Sequence, residues 1–252
     1  MKIVVSPAKS LDFESKVPTS KYTQGIFLEQ AEKLSKVLKN QSPADLSALM
    51  KISEKLGDLN WQRNQNWSLP LTTSNAKQAV FAFNGDVYNG LDAYTLKEEQ
   101  IEVLQDKLRI LSGQYGILKP LDLMQPYRLE MATKLKVENH ANLYQFWGDT
   151  VTEQLNEEMS DDEIFINLAS NEYFKVVKPK LLKVPVITPH FKDYKDGKLK
   201  IISFHAKKAR GLMVRYILDK NVESKEDLKG FNYEGYAFDG NLSTETDLVF
   251  TR

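Results

Sequence analysis

The sequence predicts an α+β fold in a single compact domain that spans residues 1–252. Helix-like and strand-like segments are mixed along the chain without the regular strand–helix–strand rhythm of an α/β protein. No internal repeat, low-complexity tract or Pro/Gly/Ser-rich linker divides the 252 residues. With 42% hydrophobic and 27% charged residues, the chain has an ordinary globular composition and can bury one large core or two small ones. One domain is the simplest interpretation.

Five helices are predicted in the first two thirds of the chain. Apolar residues recur there at helical spacing. Ser42 precedes Pro43, with Asp45 at the third helical position, which is typical of a helix start. Thr95 and Glu98 form a capping-box pattern for a helix that ends before Gly113. The predicted ranges are 24–39, 43–50, 75–83, 96–112 and 142–159.

Short strands and one further helix complete the prediction. Apolar runs predict buried strands at residues 3–5, 164–166 and 184–187, and near Tyr236 and Leu248. Residues 191–204 contain Asp196-Gly197 between arms with apolar residues, a strong hairpin signal. A basic helix over 205–220 follows.

Composition excludes several classes of site. The chain has no Cys, so disulfides, thiolate zinc sites, cysteine-ligated iron–sulfur clusters and thiol nucleophiles are excluded. The three histidines, His140, His190 and His205, are far apart and form no i, i+4 pair, so we expect no metal site and no cofactor. The phosphate-loop, dinucleotide, serine-hydrolase and zinc-protease motifs are also absent.

No hydrophobic segment is long enough to suggest a membrane protein. No apolar run approaches the roughly 18 residues that cross a bilayer. The apolar stretch at Ile3–Val5 is too short for a signal-peptide core. We therefore expect a cytoplasmic protein without a membrane partner.

A neutral net charge hides a strong asymmetry. Residues 175–215 hold 12 basic and two acidic residues, or +10, which leaves −10 for the remainder of a chain with 34 of each. Such segregation indicates a polyanionic partner. The alternative is that the basic segment pairs with acidic runs of the same fold, such as Asp161–Glu163.

The basic helix carries four cations on one predicted face. On a helical projection, an apolar arc lies opposite the cations, which surround Gly211. A glycine in mid-helix costs about 1 kcal/mol relative to alanine, so it usually permits a close approach, here by a phosphate or by another element. The alternative is a solvated amphipathic helix. The predicted DNA contacts on this helix are Lys207, Lys208, Arg210 and Arg215.

A second basic feature lies within residues 42–67. Two short helical patterns flank Ile52–Gly57, and a tight hairpin of helices can direct backbone N–H groups at a phosphate. Lys51, Lys55 and Arg63 are placed to supply positive charge. The alternative is an ordinary helical hairpin with a buried apolar face.

Several polar residues are candidates for catalysis. Arg128 and Glu130 share a face if residues 127–131 are extended, so Glu130 could act as a general base or the pair could be structural. Asp86 is a similar case. Ser6 and Lys9 follow the first strand, where a Ser–Lys pair can supply a nucleophile and a base. The segment 170–172, after another strand, is equally typical of a site or of a helix cap.

At these motifs the chain resembles the YaaA family of bacterial peroxide-stress proteins. The distinctive blocks are Ser6-Pro7-Ala8-Lys9, Gly85-Asp86-Val87-Tyr88, Leu111–Met131, Tyr144–Gly148, Ile166–Phe174 and Ser203–Arg215. The resemblance implies a protein induced by hydrogen peroxide that limits oxidative DNA damage. It also implies a fold of its own, with a positively charged cleft and a helix-hairpin-helix element for DNA, but no settled enzymatic activity.

The implied helix-hairpin-helix maps onto residues 42–67 with one departure. The usual hairpin carries two glycines between hydrophobic residues, whereas only Gly57 is present here. The lack of Cys excludes protection by a thiol peroxidase mechanism.

The sequence as a whole predicts a DNA-binding protein of the peroxide response. We expect contacts mainly to the phosphates of duplex or branched DNA, largely independent of base sequence. The alternative is an enzyme acting on a nucleic acid or nucleotide in the same cleft through Arg128, Glu130 and Asp86. A regulator of iron handling is a weaker alternative, because the sequence contains no cluster of iron ligands.

Overall fold

An eight-stranded sheet organises the computed structural model, which describes residues 1–252. The strands are β1 (Lys2–Val5), β2 (Ser10–Leu11), β3 (Lys77–Gln78), β4 (Phe83–Asn84), β5 (Leu108–Ser112), β6 (Gly116–Leu118), β7 (Leu123–Met124), β8 (Phe165–Leu168), β9 (Val186–Lys195), β10 (Lys198–Lys200), β11 (Ala237–Phe238) and β12 (Asp247–Thr251). The helices are α1 (Leu28–Lys39), α2 (Pro43–Met50), α3 (Glu54–Asn66), α4 (Ala79–Ala82), α5 (Asp86–Leu91), α6 (Glu98–Lys107), α7 (Leu143–Trp147), α8 (Thr150–Glu157), α9 (Asn171–Phe174), α10 (Ser203–Lys220) and α11 (Lys225–Leu228).

Five parallel strands form the centre of the sheet, in the order β5-β1-β8-β9-β12. The antiparallel strands β6, β10 and β11 pair at its margins. From β1 the chain passes to β5 on one side and later returns to β8 on the other side. The carboxyl ends of β1 and β8 therefore meet where the strand order reverses, which is where open parallel sheets bind ligands.

The core explains why these strands are central. Every residue of β1, β5 and β8 is buried, as expected for strands covered on both faces. The buried apolar residues form one contiguous cluster of 64. The predicted mixture of helices and strands in one compact domain is confirmed. The parallel order was not predicted, because residues 6–107 separate β1 from β5 and hide the strand–helix–strand rhythm.

The predicted helix cap and hairpin turn are both present, because each depends on residues that are close together in the sequence. The Ser42 side chain accepts a hydrogen bond from the Asp45 N–H, and the Asp45 carboxylate accepts one from the Ser42 N–H. Asp196 (φ 54°) and Gly197 (φ 71°) turn the β9–β10 hairpin. The strand predicted near residue 165 and the basic helix are also present as β8 and α10.

Two of the predicted helices are interrupted. Residues 75–83 form β3 and a single turn, α4, because Lys77 and Gln78 pair with β7. Residues 142–159 form α7 and α8, which are separated at Gly148, where φ is 52°. Gly148 can adopt this left-handed backbone without the strain that a side chain would add.

The helix predicted over 96–112 is wrong at both ends. Thr95 does not cap it, because its hydroxyl bonds to Asp92 while Lys97 precedes the first helical residue. The helix ends at Lys107, and residues 108–112 form the fully buried β5. A short, wholly apolar run does not distinguish a buried strand from a helix by periodicity alone.

The helices of this fold are short or amphipathic. None of them is both long and apolar enough to cross a membrane.

Candidate functional site

The loops that follow β1 and β8 are joined by their serines. The Ser170 N–H donates to Ser6 Oγ (2.9 Å), and Ser6 Oγ donates to Ser170 Oγ (3.3 Å). The Tyr88 hydroxyl donates to the Ser6 carbonyl oxygen (3.1 Å), which fixes the first loop to α5. These bonds hold the two loops together at the switch point of the sheet.

A cavity of about 420 Å³ opens at this point. Three segments that are distant in sequence line it, residues 6–10, 84–88 and 170–173 (except 171), together with Lys207 and Arg210 of α10. The fold thus brings Ser6, Lys9 and Asp86, predicted as catalytic candidates, together with two of the predicted phosphate contacts.

Two cations in this cavity have no acidic partner. Arg210 is partly buried and makes no hydrogen bond or ion pair within the protein, and burial lowers its pKa. Lys207, one turn earlier on α10, is exposed and also unpaired. A guanidinium stays charged even when it is partly desolvated, and an uncompensated buried charge is costly. An anion in the cavity would supply the missing countercharge and offset that cost.

Two carboxylates face the same cavity. Asp86 is half-buried at the start of α5 and has no hydrogen-bond or ionic partner. Glu172 accepts a hydrogen bond from the Ala132 N–H at Oε1 (3.1 Å). The cavity therefore presents both signs of charge. No group of three or more acidic or histidine side chains is arranged to hold a metal ion.

Glu130 lies beside the cavity, between two cations. Its Oε2 is 2.9 Å from Lys9 Nζ, and its Oε1 is 3.2 Å from Arg128 Nη2. The predicted contact between Arg128 and Glu130 is therefore present. Ser6 and Lys9 do not form the predicted Ser–Lys pair. Lys9 forms an ion pair with Glu130, and the Ser6 hydroxyl donates to Ser170.

A shallower depression of about 470 Å³ adjoins the cavity through Glu172. Lys51 and Lys134 line it together with Glu130. Arg63 lies deeper on α3, where burial and, to a lesser extent, the positive charge of Arg128 lower its pKa. Lys55 is exposed on the first turn of α3, outside both depressions.

Helices α2 and α3 pack as a hairpin joined by residues 51–53. A Cβ on Gly57 would overlap Ser47 Oγ and lie 2.6 Å from the Pro43 carbonyl oxygen. Gly57 therefore permits the close packing of α3 on α2. The use of this α2–α3 hairpin as a helix-hairpin-helix for DNA stays a prediction.

The four cations of α10 do not form the single open face that the helical projection predicts. Gly211 packs against α5, where a Cβ would overlap the Val87 carbonyl oxygen, so the close approach is made by another helix. Arg215 donates to Asp219 (3.0 Å) and to Thr95 Oγ1 (2.7 Å). Lys208 pairs with Glu234. Both side chains thus hold α10 to neighbouring segments, and only Lys207 and Arg210 line the cavity.

The remaining basic segment is partly neutralised within the fold. Lys178 pairs with Asp149, and Lys183 lies 3.9 Å from Asp161, which belongs to the acidic run named above. Internal pairing therefore accounts for part of the charge asymmetry.

Comparison with known proteins agrees with the sequence blocks. A family model described as peroxide stress protein YaaA matches residues 1–242. The chain belongs to the YaaA family of peroxide stress proteins. A UPF0246 protein of Flavobacterium johnsoniae is 65% identical over 252 residues, all of both chains. One of Flavobacterium psychrophilum is 62% identical over the same extent. One of Hahella chejuensis is 55% identical over 254 residues, covering all of this chain and 99% of the other.

Family membership confirms the resemblance and supports a role in peroxide stress. Within this YaaA protein, the sequence predicted several residues of the cavity, and the enzyme alternative already placed Asp86 in the same cleft as the basic helix. Tyr88 and Tyr173 were not singled out, although each follows closely on a predicted site residue. Tyr173 follows the loop after β8, whereas Tyr88 lies on α5, which follows β4 of a separate two-stranded sheet, so no single sequence signal identifies both.

Proposed function

We propose that the protein acts in peroxide stress by binding DNA, mainly through phosphates of duplex or branched DNA. The observation that carries the proposal is the pair of unpaired cations, Lys207 and Arg210, in a cavity at the switch point of the sheet. Both are donors suited to phosphate oxygens. Bound phosphates would supply the countercharge that the partly buried Arg210 lacks within the protein.

The neighbouring surface extends the positive charge. The cavity, the depression at Lys51 and the small cleft between them at Arg128 are lined by six cations and three carboxylates. The local excess of +3 contrasts with a chain of net charge zero. The cations are Lys9, Lys51, Arg128, Lys134, Lys207 and Arg210. A strand that follows this path would bind with little preference for base sequence, because phosphate contacts carry none.

Fluorescence anisotropy with a labelled duplex at several salt concentrations tests the proposal. With about four to six phosphate contacts, affinity falls by about two to three decades between 50 and 200 mM salt. Lys207→Gln combined with Lys51→Gln removes two exposed cations, so the slope of log K against log salt should flatten by about two.

The matched control removes the same charge elsewhere. Lys220 lies 13 residues beyond Lys207 on α10, about 20 Å away, and Lys180 lies outside the described depressions. Lys220→Gln with Lys180→Gln should leave the slope nearly unchanged. Equal losses in both double variants, or none in either, would contradict the placement of DNA on this surface.

A second candidate function is an enzyme that acts on a nucleic acid or nucleotide at the same place. It is favoured by Asp86, a half-buried carboxylate without a partner in a cavity that also holds cations. Arg128 and Glu130 adjoin it. We expect purified protein with Mg²⁺ or Mn²⁺ to leave duplex, gapped and branched DNA intact over hours. Cleavage that is lost in Asp86→Asn or Glu130→Gln would favour the enzyme instead.

A further inference from the structure

The cavity at the switch point is lined by charges of both signs. Lys207 and Arg210 belong to α10 and have no acidic partner, Lys9 is paired with Glu130, and the carboxylates Asp86 and Glu172 belong to α5 and α9. A volume of about 420 Å³ lies within the range of small-molecule sites, which run from about 300 to 1,000 Å³. Such a cavity suits a ligand that has an anionic end and a hydrogen-bond-donating end.

We propose that this cavity binds one nucleotide unit, a nucleoside monophosphate whose base carries N–H donors. The phosphate lies on Arg210 and Lys207. These side chains are three residues apart on α10 and therefore share a helix face, and Arg210 has all of its N–H donors free of protein acceptors. The guanidinium can bind two oxygens of one phosphate at once.

The base lies towards the carboxylates. Asp86 has no partner, and one oxygen of Glu172 is left free by the Ala132 N–H, so both accept N–H donors of guanine, adenine or cytosine. Tyr88 and Tyr173, both buried, supply aromatic wall in the same cavity. Inorganic phosphate alone would leave the two carboxylates without hydrogen-bond donors and would place its own negative charge close to theirs. A nucleotide offers an anion to the cations and N–H donors to the carboxylates.

The nucleotide unit has two sources, a free mononucleotide or the phosphorylated end of a DNA strand. The cavity and the depression at Lys51 both have Glu172 in their lining, and the cleft at Arg128 shares residues with each, so the remaining strand has a path along this surface. The strand-end arm rests on the proposed DNA function, whereas the mononucleotide arm does not. The experiment therefore uses both.

Isothermal titration calorimetry of the full-length protein with dGMP, deoxyguanosine and inorganic phosphate tests the site. We expect dGMP to bind at least tenfold more tightly than either of the others. Arg210→Gln should weaken dGMP binding at least tenfold, and Asp86→Asn should weaken it severalfold while inorganic phosphate binds no more weakly. Lys220→Gln is the control, because Lys220 lies at the far end of α10. Lys207→Gln, at an exposed position, replaces Arg210→Gln if the latter fails to fold.

Competition between dGMP and DNA identifies the source. Closed circular and unphosphorylated duplex compete with dGMP only through internal phosphates that reach Lys207 and Arg210. If strand ends use the cavity, linear duplex with terminal phosphates should displace dGMP at least tenfold better than either of them. Displacement by no DNA assigns the cavity to free mononucleotides. Equal affinity for dGMP and inorganic phosphate, or dGMP binding unchanged in Arg210→Gln, overturns the inference. If the protein binds duplex with the expected salt slope but does not bind dGMP, the nucleotide site is overturned and the DNA function stands. If it binds dGMP but not duplex, the DNA function is overturned and the nucleotide site stands.

Discussion

At the scale of single residues, Glu130 forms ion pairs with two cations, Lys9 and Arg128. It neutralises two cations that differ in exposure, since the Lys9 side chain is 61% exposed and the Arg128 side chain only 15%. Arg128 Nε is also buried without a hydrogen-bond partner. Arg128 therefore depends on Glu130 for charge compensation, whereas Lys9 has water available.

Replacement of Glu130 should consequently affect folding. Glu130→Gln keeps the shape but leaves Arg128 without a carboxylate, so we expect the free energy of unfolding to fall by about 1–3 kcal/mol. Lys9→Gln is the matched control and should cost less than about 0.5 kcal/mol, because Lys9 is exposed. Chemical denaturation of both variants measures the difference. Unchanged stability in Glu130→Gln, together with impaired peroxide resistance in cells, would instead favour a role for Glu130 in the site.

At the scale of elements, the sequence predicted those structures whose causes are local. The capping box at Ser42 and the Asp196-Gly197 turn each involve residues close in sequence, and both are present. Strand β5 was predicted as helix because its burial depends on distant neighbours. Gly211 shows the same limit within the site, since the helical projection identified a close approach but not α5 as the approaching element.

The packing of α10 on α5 gives a direct test of Gly211. Gly211→Ala improves helix propensity by about 1 kcal/mol, but its Cβ would overlap backbone atoms of Val87. Since overpacking typically costs about 1–3 kcal/mol, we expect a net loss of stability. In the control Gly25→Ala, the added Cβ meets its nearest atoms at 3.5 Å, an ordinary contact. A more stable Gly211→Ala that binds DNA less tightly would show that Gly211 admits a phosphate instead.

At the scale of the whole molecule, strand order and helix packing decide which candidates meet. Ser6, Asp86 and Arg210 were each identified from the sequence. Asp86 and Arg210 meet because α5 packs on α10, and Ser6 joins Ser170 because β1 and β8 are parallel neighbours. That adjacency joins residues more than 150 positions apart. Short buried strands carry no signal for their partners, so the individual residues were predictable and the strand pairing that joins Ser6 to Ser170 was not.

The same topology places a cationic arm at the edge of the sheet that holds the cavity. Strand β9 pairs with β8 only through Val186 and Ile187 and then continues to Lys195, where it turns into β10. The hairpin therefore extends beyond the carboxyl end of β8. Lys195 and Lys198 at its tip are exposed and form no ion pair with an acidic side chain. Charges held out in this way act on an approaching polyanion before contact.

If the protein binds DNA as we propose, reversal of these charges should slow the encounter. At 50 mM salt, Lys195→Glu with Lys198→Glu should lower the association rate constant severalfold, with a smaller effect on dissociation. At 200 mM the Debye length falls to about 7 Å, so the difference should largely disappear. Stopped-flow anisotropy measures both rates. Lys180→Glu with Lys220→Glu makes the same change in net charge away from this edge and should slow association less. If both pairs slow it equally, net charge controls the encounter, and the position of the hairpin contributes nothing.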